Sequence, residues 1–422
     1  MPRADVVVIG AGLAGLACAA ELAESGASVF LAAKGMATTH WTHGGLDVAG
    51  PPGSATPRDG VRALAKVPGH PYAALHHDVE RAVDGHLARL RAAGLPMAGS
   101  LDAPLVPVPT AIGALRHAAL LPAAQAAALG AWGDDGLMVV GIRGYRDAWA
   151  GYAARNLVAS DWPAGPREIR AIEVELPGLE RLRNLNARSL AQLFEDAEWR
   201  HRALAVVADA VPTGAWRVGL PAVLGISSHG PVLSEAQAAI GHPLIEIPSL
   251  PPSVPGMRLY DALRGTILAA GGRIQVGFDV VQVERRGRRI VAIHTEAASR
   301  TLRLAADEFV LATGGIGGEG IRALPDGTLV ERVFGLPVEA PPRERWFSDD
   351  PLVPHPVESL GIRTDDALRP LDAEGAVAVE NVRVIGSALA GMHYLEERCG
   401  DGVALASARA AARRLAVGRA AA

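Results

Sequence analysis

The feature that most constrains this chain is a glycine turn set between a strand and a helix. Val6-Val7-Val8-Ile9 is a short β-branched run, which predicts a buried strand. Gly10-Ala11-Gly12-Leu13-Ala14-Gly15 follows at once and fits G-x-G-x-x-G. Leu13 to Glu24 reads as a helix with an apolar Ala/Leu face, and Gly26 is the expected stop. Val29-Phe30-Leu31 is the second strand. This is β-turn-α-β within about 30 residues, the size of a parallel crossover unit. Gly10 permits the tight turn, Gly12 lets a phosphate approach the backbone, and Gly15 lets helix pack on strand. The free N–H groups of Leu13 and Ala14 then face an anion. A nucleotide or flavin site is expected here.

One part of the usual fingerprint is missing. The second strand ordinarily ends in Asp or Glu, which accepts hydrogen bonds from the adenosine ribose. Here it ends at Ala32-Ala33-Lys34, and Ala33 cannot accept them. Either adenosine is held differently, or the ligand lacks it. A mononucleotide flavin, FMN, meets the second condition; FAD meets the first. Lys34 is either a phosphate partner or a solvated lysine.

Four distant glycine segments complete the expected flavin site. Gly44-Gly45 would allow close approach of a flat ring, or form a plain turn. Thr313-Gly314-Gly315 ends a strand running from Glu308, and Gly386 ends another that starts at Val382. Gly400-Asp401-Gly402 opens an Ala-rich helix reaching Val417. The N-terminus of that helix could stabilise negative charge on a reduced flavin, or be capped by Asp401.

Between Gly50 and Pro255 the texture changes to frequent Pro and Gly, with helices expected at Leu75–Ala93 and Ser189–Val207 and a strand at 137–141. The expected organisation is a discontinuous flavin-binding domain over 1–50, 256–320 and 360–422. A cap or partner domain over 51–255 is inserted, and 321–359 connects.

Composition excludes several classes. A net charge of −4 argues against a nucleic-acid partner, which needs a clustered basic face. Cys18 and Cys399 are too few for a disulfide framework or a Cys-ligated iron–sulfur cluster. The longest Ala/Leu-rich run, His117–Trp132, is interrupted by Pro122, Gln125 and Gly130, so no membrane span is expected. Pro2-Arg3-Ala4-Asp5 leads directly into a strand, without a secretory pattern. A cytoplasmic protein is expected. No His/Asp/Glu cluster has metal-ligand spacing, and no metal is expected.

The order of these pieces resembles the two-dinucleotide-binding-domain flavoproteins related to fumarate reductase and succinate dehydrogenase. The fold class expected is α/β, Rossmann-like, with an inserted α+β cap. A narrower resemblance rests on His70-Pro71-Tyr72, Gly141-Ile142-Arg143-Gly144-Tyr145-Arg146-Asp147, the segments Ala171–Pro177 and Pro248–Leu259, and Thr364–Pro370. These are similar to the B-subunit family of anaerobic glycerol-3-phosphate dehydrogenases. That resemblance implies an FMN subunit of a quinone-linked enzyme oxidising sn-glycerol 3-phosphate to dihydroxyacetone phosphate. It implies a catalytic A subunit and an iron–sulfur C subunit as partners, peripheral at the inner face of the cell membrane. An electron-relay or assembly subunit and a fumarate-reductase-like enzyme of other substrate are the alternatives.

Oxidising a secondary alcohol through a flavin needs a base for the hydroxyl proton. His43, beside Gly44-Gly45, is the first candidate and His40 the second. His229 and His355 are weaker candidates. Arg258 and Arg369 lie in the family-like segments and are candidates for phosphate or flavin contacts.

Overall fold

The computed structural model describes residues 3–297 and 300–420. It divides into two compact units: Met1–Thr39 with Asp47–Arg89 and Tyr260–Ala422, and His40–Leu46 with Leu90–Leu259.

The first unit opens with β1 (Arg3–Ile9), α1 (Leu13–Glu24) and β2 (Val29–Ala33). The strands are parallel, with Val6 paired to Val29. Val7, Val8, Leu16, Cys18 and Leu22 are fully buried, which is why the sequence shows continuous apolar runs here. Gly26 stands at φ +82°, so the chain reverses in the left-handed region that glycine enters without strain. Helix α2 (Tyr72–Ala92) follows after a short helix at Pro57–Leu64.

The second unit is built on β3 (Gly136–Ile142), β4 (Ile169–Val174), α3 (Ala197–Ala210), β5 (Trp216–Pro221), α4 (His229–Ile240) and β6 (Leu244–Ile247). Its sheet runs β6-β5-β3-β4, every pair parallel. Two short antiparallel pairs accompany it, Met97–Gly99 with Leu120–Pro122 and Val106–Pro109 with Leu115–Ala118. The helix expected over 189–207 is two helices. Ala187–Leu193 ends, and Asp196 accepts the Trp199 N–H at 2.8 Å to start α3. The Asp is an N-cap and breaks a stretch whose periodicity reads as continuous.

The chain continues through α5 (Val254–Ala269), β7 (Arg273–Val276), β8 (Asp279–Arg286), β9 (Arg289–Ala297), β10 (Arg300–Leu311), β11 (Val382–Val384) and α6 (Gly400–Ala420). The first unit's sheet has the order β7-β2-β1-β10-β9-β8. β10 is parallel to β1 along most of its length. On its other side it pairs antiparallel with β9 at its start and parallel with β11 at its end. The parallel strands β1, β10 and β11 therefore finish at one edge, where ligands of open α/β sheets gather.

Candidate functional site

At that edge the backbone closes tightly. Gly10 donates its N–H to Ala32 O and Ala312 donates to Ile9 O, both at 2.9 Å. A Cβ at Gly10, whose φ is +115°, would lie 2.3 Å from Ala312 O, and one at Gly15 would lie 2.1 Å from Gly10 O. These two glycines permit contact between backbones. Gly12 differs: a Cβ there meets nothing nearer than Ala37 Cβ at 3.9 Å, so it faces open space. It is the N-cap of α1, whose first turn has neither a side-chain cap nor an acidic residue. The N-terminal N–H groups of α1 thus have no side-chain cap from their own helix, an arrangement that suits an anion.

Gly12, Leu13 and Ala14 line a hollow of about 470 Å³. Thr313, Gly314 and Gly315 from the end of β10 line it too, with Gly386 after β11 and Gly400 and Asp401 at the start of α6. Thr313 Oγ1 is buried there without a hydrogen-bond partner among the described residues. A buried hydroxyl with no partner is costly and is explained by a group that binds it. Gly315 donates its N–H to Ser387 Oγ at 3.4 Å, tying the β10 turn to the β11 turn. The start of α6 is tied to Asp47. Asp401 and Gly402 donate to Asp47 O at 3.1 and 3.0 Å, and Asp47 N–H donates to Asp401 Oδ2 at 2.9 Å. A Cβ at Gly402 would stand 2.1 Å from the Tyr72 hydroxyl, so this glycine serves packing.

Beside the hollow, Ala33 is buried at the end of β2. Lys34 Nζ pairs with Glu319 Oε2 at 2.8 Å, and Arg322 meets the same oxygen at 3.1 Å. Those cations hold the exposed Glu319 carboxyl at about 2. The loop after Gly314 thereby reaches back to the end of β2. Sequence reading finds Lys34 but has no signal for Glu319, which is 285 residues away.

Behind the α6 turn, Glu397 Oε2 gathers His393 N–H at 2.7 Å, the Cys399 thiol at 3.6 Å and His70 Nε2 at 3.3 Å. His70 Nδ1 accepts the Tyr72 N–H at 3.0 Å, so its proton sits on Nε2. Burial would raise the Glu397 carboxyl, but these donors and the neighbouring histidines hold it below its ordinary value. Arg369, also in this unit, pairs with Asp365 at 2.7 Å.

Among the other expected groups, His40, His43, Gly44, Gly45 and Arg258 belong to the second unit. A Cβ at Gly44 would lie 2.8 Å from Pro255 Cβ, and one at Gly45 2.8 Å from Leu120 O. His43 Nδ1 accepts the Gly45 N–H at 2.9 Å, which leaves the ring proton on Nε2. Burial, reinforced by the Arg116 cation, lowers its pKa to about 3. In this arrangement His43 is neutral, and its buried Nε2 has no hydrogen-bond partner among the described residues. His40 supplies its carbonyl to Ser253 N–H at 2.7 Å. Arg258 is buried, with Nη1–Oε2 2.6 Å and Nη2–Oε1 3.0 Å to Glu246. The sequence signal for Glu246 is one acid inside the apolar run Leu244-Ile245-Glu246-Ile247.

The family model described as FAD binding domain matches residues 5–403. The chain is 34% identical to the probable B subunit of anaerobic glycerol-3-phosphate dehydrogenase from Halobacterium salinarum, over 97% of each chain. It is 32% identical to the B subunit of anaerobic glycerol-3-phosphate dehydrogenase from Yersinia pestis, over 96% of each. The chain belongs to this B-subunit family of FAD-binding-domain proteins. Among solved structures, quinol fumarate reductase FrdA of E. coli aligns at 11% identity and TM-score 0.43, over 99% of this chain and 71% of that one. As in the sequence expectation, this family member is an α/β flavoprotein. Among its described residues no helix is long and apolar enough to cross a membrane.

Proposed function

We propose that this chain is the flavin-carrying member of a quinone-linked anaerobic glycerol-3-phosphate dehydrogenase. The enzyme oxidises sn-glycerol 3-phosphate to dihydroxyacetone phosphate. Its electrons pass to an iron–sulfur C subunit, with a catalytic A subunit completing the assembly at the membrane face. The observation that carries this reading is the full-length likeness to named B subunits, 32–34% identical over 96–97% of the chain.

The residues of the hollow fit a flavin. The N–H groups at Leu13 and Ala14 would take its phosphate, Thr313 Oγ1 would hydrogen-bond it, and Gly314 and Gly400 leave room beside it. The flavin, when bound, supplies hydride acceptance at N5. We favour the mononucleotide: Ala33 cannot hold a ribose, and the Lys34–Glu319 pair occupies the end of β2. Releasing the cofactor from the purified chain and weighing it tests both points. FMN supports the reading, FAD removes the mononucleotide, and a folded chain without flavin removes the whole.

A second reading is supported by His43. Its Nδ1 lone pair is taken by Gly45 N–H, so it is not poised to accept the alcohol proton. The chain is then an electron relay, and the A subunit does the alcohol chemistry. Anaerobic glycerol 3-phosphate separates the two: bleaching of the isolated chain favours the dehydrogenase, and bleaching only with the A subunit favours the relay.

A further inference from the structure

The second unit contains a cavity of about 180 Å³, walled by Leu90, Leu95, Leu233 and Leu259 with His229 and Arg258 at its edge. Its polar edge is satisfied within the protein: Arg258 meets Glu246 and Gly225 O, and His229 meets Leu224 O and Arg258. The larger hollow of the first unit differs. Besides Thr313 Oγ1, it leaves a carboxylate oxygen unmet. Glu358 lines this hollow, and its Oε2 is buried with no hydrogen-bond partner among the described residues. The other oxygen, Oε1, accepts the His355 N–H at 3.2 Å, and the Val357 N–H donates to Trp346 O at 3.1 Å, so the side chain is held in place. The segment 321–359, expected only to connect, thus sends an acid into the hollow.

A carboxylate can only accept, so whatever fills the hollow must bring it a donor. That donor is uncharged at this place. Among the described residues lining the hollow there is no Lys, Arg or His, and Asp401 Oδ2 already accepts from Asp47 N–H. A phosphate ester facing Glu358 would have no side-chain counter-charge. Glu358 also stands with the start of α6. Tyr394 lines the hollow beside it, and a Cβ at Gly400 would lie 3.9 Å from Tyr394 Cβ. Burial pushes the Tyr394 phenol up, and the Glu358 charge adds to that shift. The N-terminus of α6 suits the pyrimidine ring of a reduced flavin. The oxidised isoalloxazine has one N–H, the imide N3–H of that same ring, fixed in direction and needing an acceptor once buried. We propose that Glu358 binds the flavin, its Oε2 accepting the hydrogen bond of the imide N3–H. The inference rests on the flavin reading above and assigns one residue to one edge of the ring.

The test titrates flavin-free, full-length protein with FMN or FAD and with the N3-methyl form of the same flavin, read by quenching of flavin fluorescence. The native protein is expected to bind the N3-methyl form about tenfold or more weakly. Glu358→Leu, which keeps bulk but cannot accept, is expected to bind the two within about twofold. Glu358→Gln, whose amide oxygen still accepts, should keep part of the preference. Circular dichroism checks each fold, and the Gln variant decides where the Leu variant does not fold. Equal binding of both flavins by the native protein overturns the proposal, as does a preference that folded Glu358→Leu retains undiminished. Equal weakening of both flavins by Glu358→Leu would give the carboxylate to a ribityl hydroxyl and overturn the imide assignment. Native protein that binds neither flavin removes the flavin reading itself, whereas binding without the preference sinks this inference alone.

Discussion

The two hollows of this molecule are made in opposite ways. In the first unit the lining is mostly backbone: the start of α1, the turns after β10 and β11, and the start of α6. In the second unit it is side chain, with Glu246, Arg258 and His229 set behind leucines. A backbone cradle needs only glycines at fixed places, so it is cheap to stabilise and recognises an anion by N–H direction. A buried ionic floor costs desolvation and persists only while every partner is present. The first should be sensitive to one added methyl group and the second to one removed charge.

The largest expected effect is on the second hollow. Arg258→Met leaves the Glu246 carboxylate buried and unpaired, and unfolding by denaturant should show a loss of about 3–5 kcal/mol. The double replacement Arg258→Met with Glu246→Leu should recover most of it. Recovery of nothing would mean that the pair is not a unit. The acid limb carries the same information. Burial alone would raise the Glu246 pKa, but Arg258, His229 and the Leu224 N–H hold it below its ordinary value. A carboxyl lowered on folding stabilises above its unfolded pKa, and the gain is lost as pH falls through the folded pKa. Stability should therefore drop below about pH 4.3 in the native protein, and this share of the drop should vanish in the double variant.

The backbone cradle comes next. Gly10→Ala places a methyl against Ala312 O in a backbone conformation that alanine resists, with an expected cost on the order of 3 kcal/mol and loss of flavin. Gly12→Ala meets open space, so it should lower flavin content while the melting temperature of the flavin-free chain stays unchanged. Equal melting losses in both variants would erase the distinction between packing and ligand-facing glycines. Thr313→Val should weaken flavin binding by about 1 kcal/mol with folding intact, read by equilibrium dialysis. Smallest is Lys34→Ala. Its partner Glu319 is solvent-exposed, and no change in melting temperature is expected. A large loss of flavin in this variant would show that Lys34 reaches the phosphate after all.

Much of the first hollow was legible because its chemistry is local. Val6–Ile9, the Gly10–Gly15 turn and the helix through Glu24 lie within one crossover, and spacing alone gives each glycine a task. The Ala-rich helix opened by Gly400 was legible for the same reason. The Asp196 cap was not, since one acid inside a helical pattern reads equally as a solvated face.

The sequence by itself determined that a parallel βαβ unit with a G-x-G-x-x-G turn starts this chain, and that no acid closes its second strand. Only the tertiary structure decided which distant groups meet. Glu319 reaches Lys34, Glu397 gathers His70 and Cys399, and Glu246 neutralises Arg258. The reason is physical: a turn's conformation is set by the residues that form it, whereas a side chain's charge and tautomer are set by whichever neighbours folding delivers.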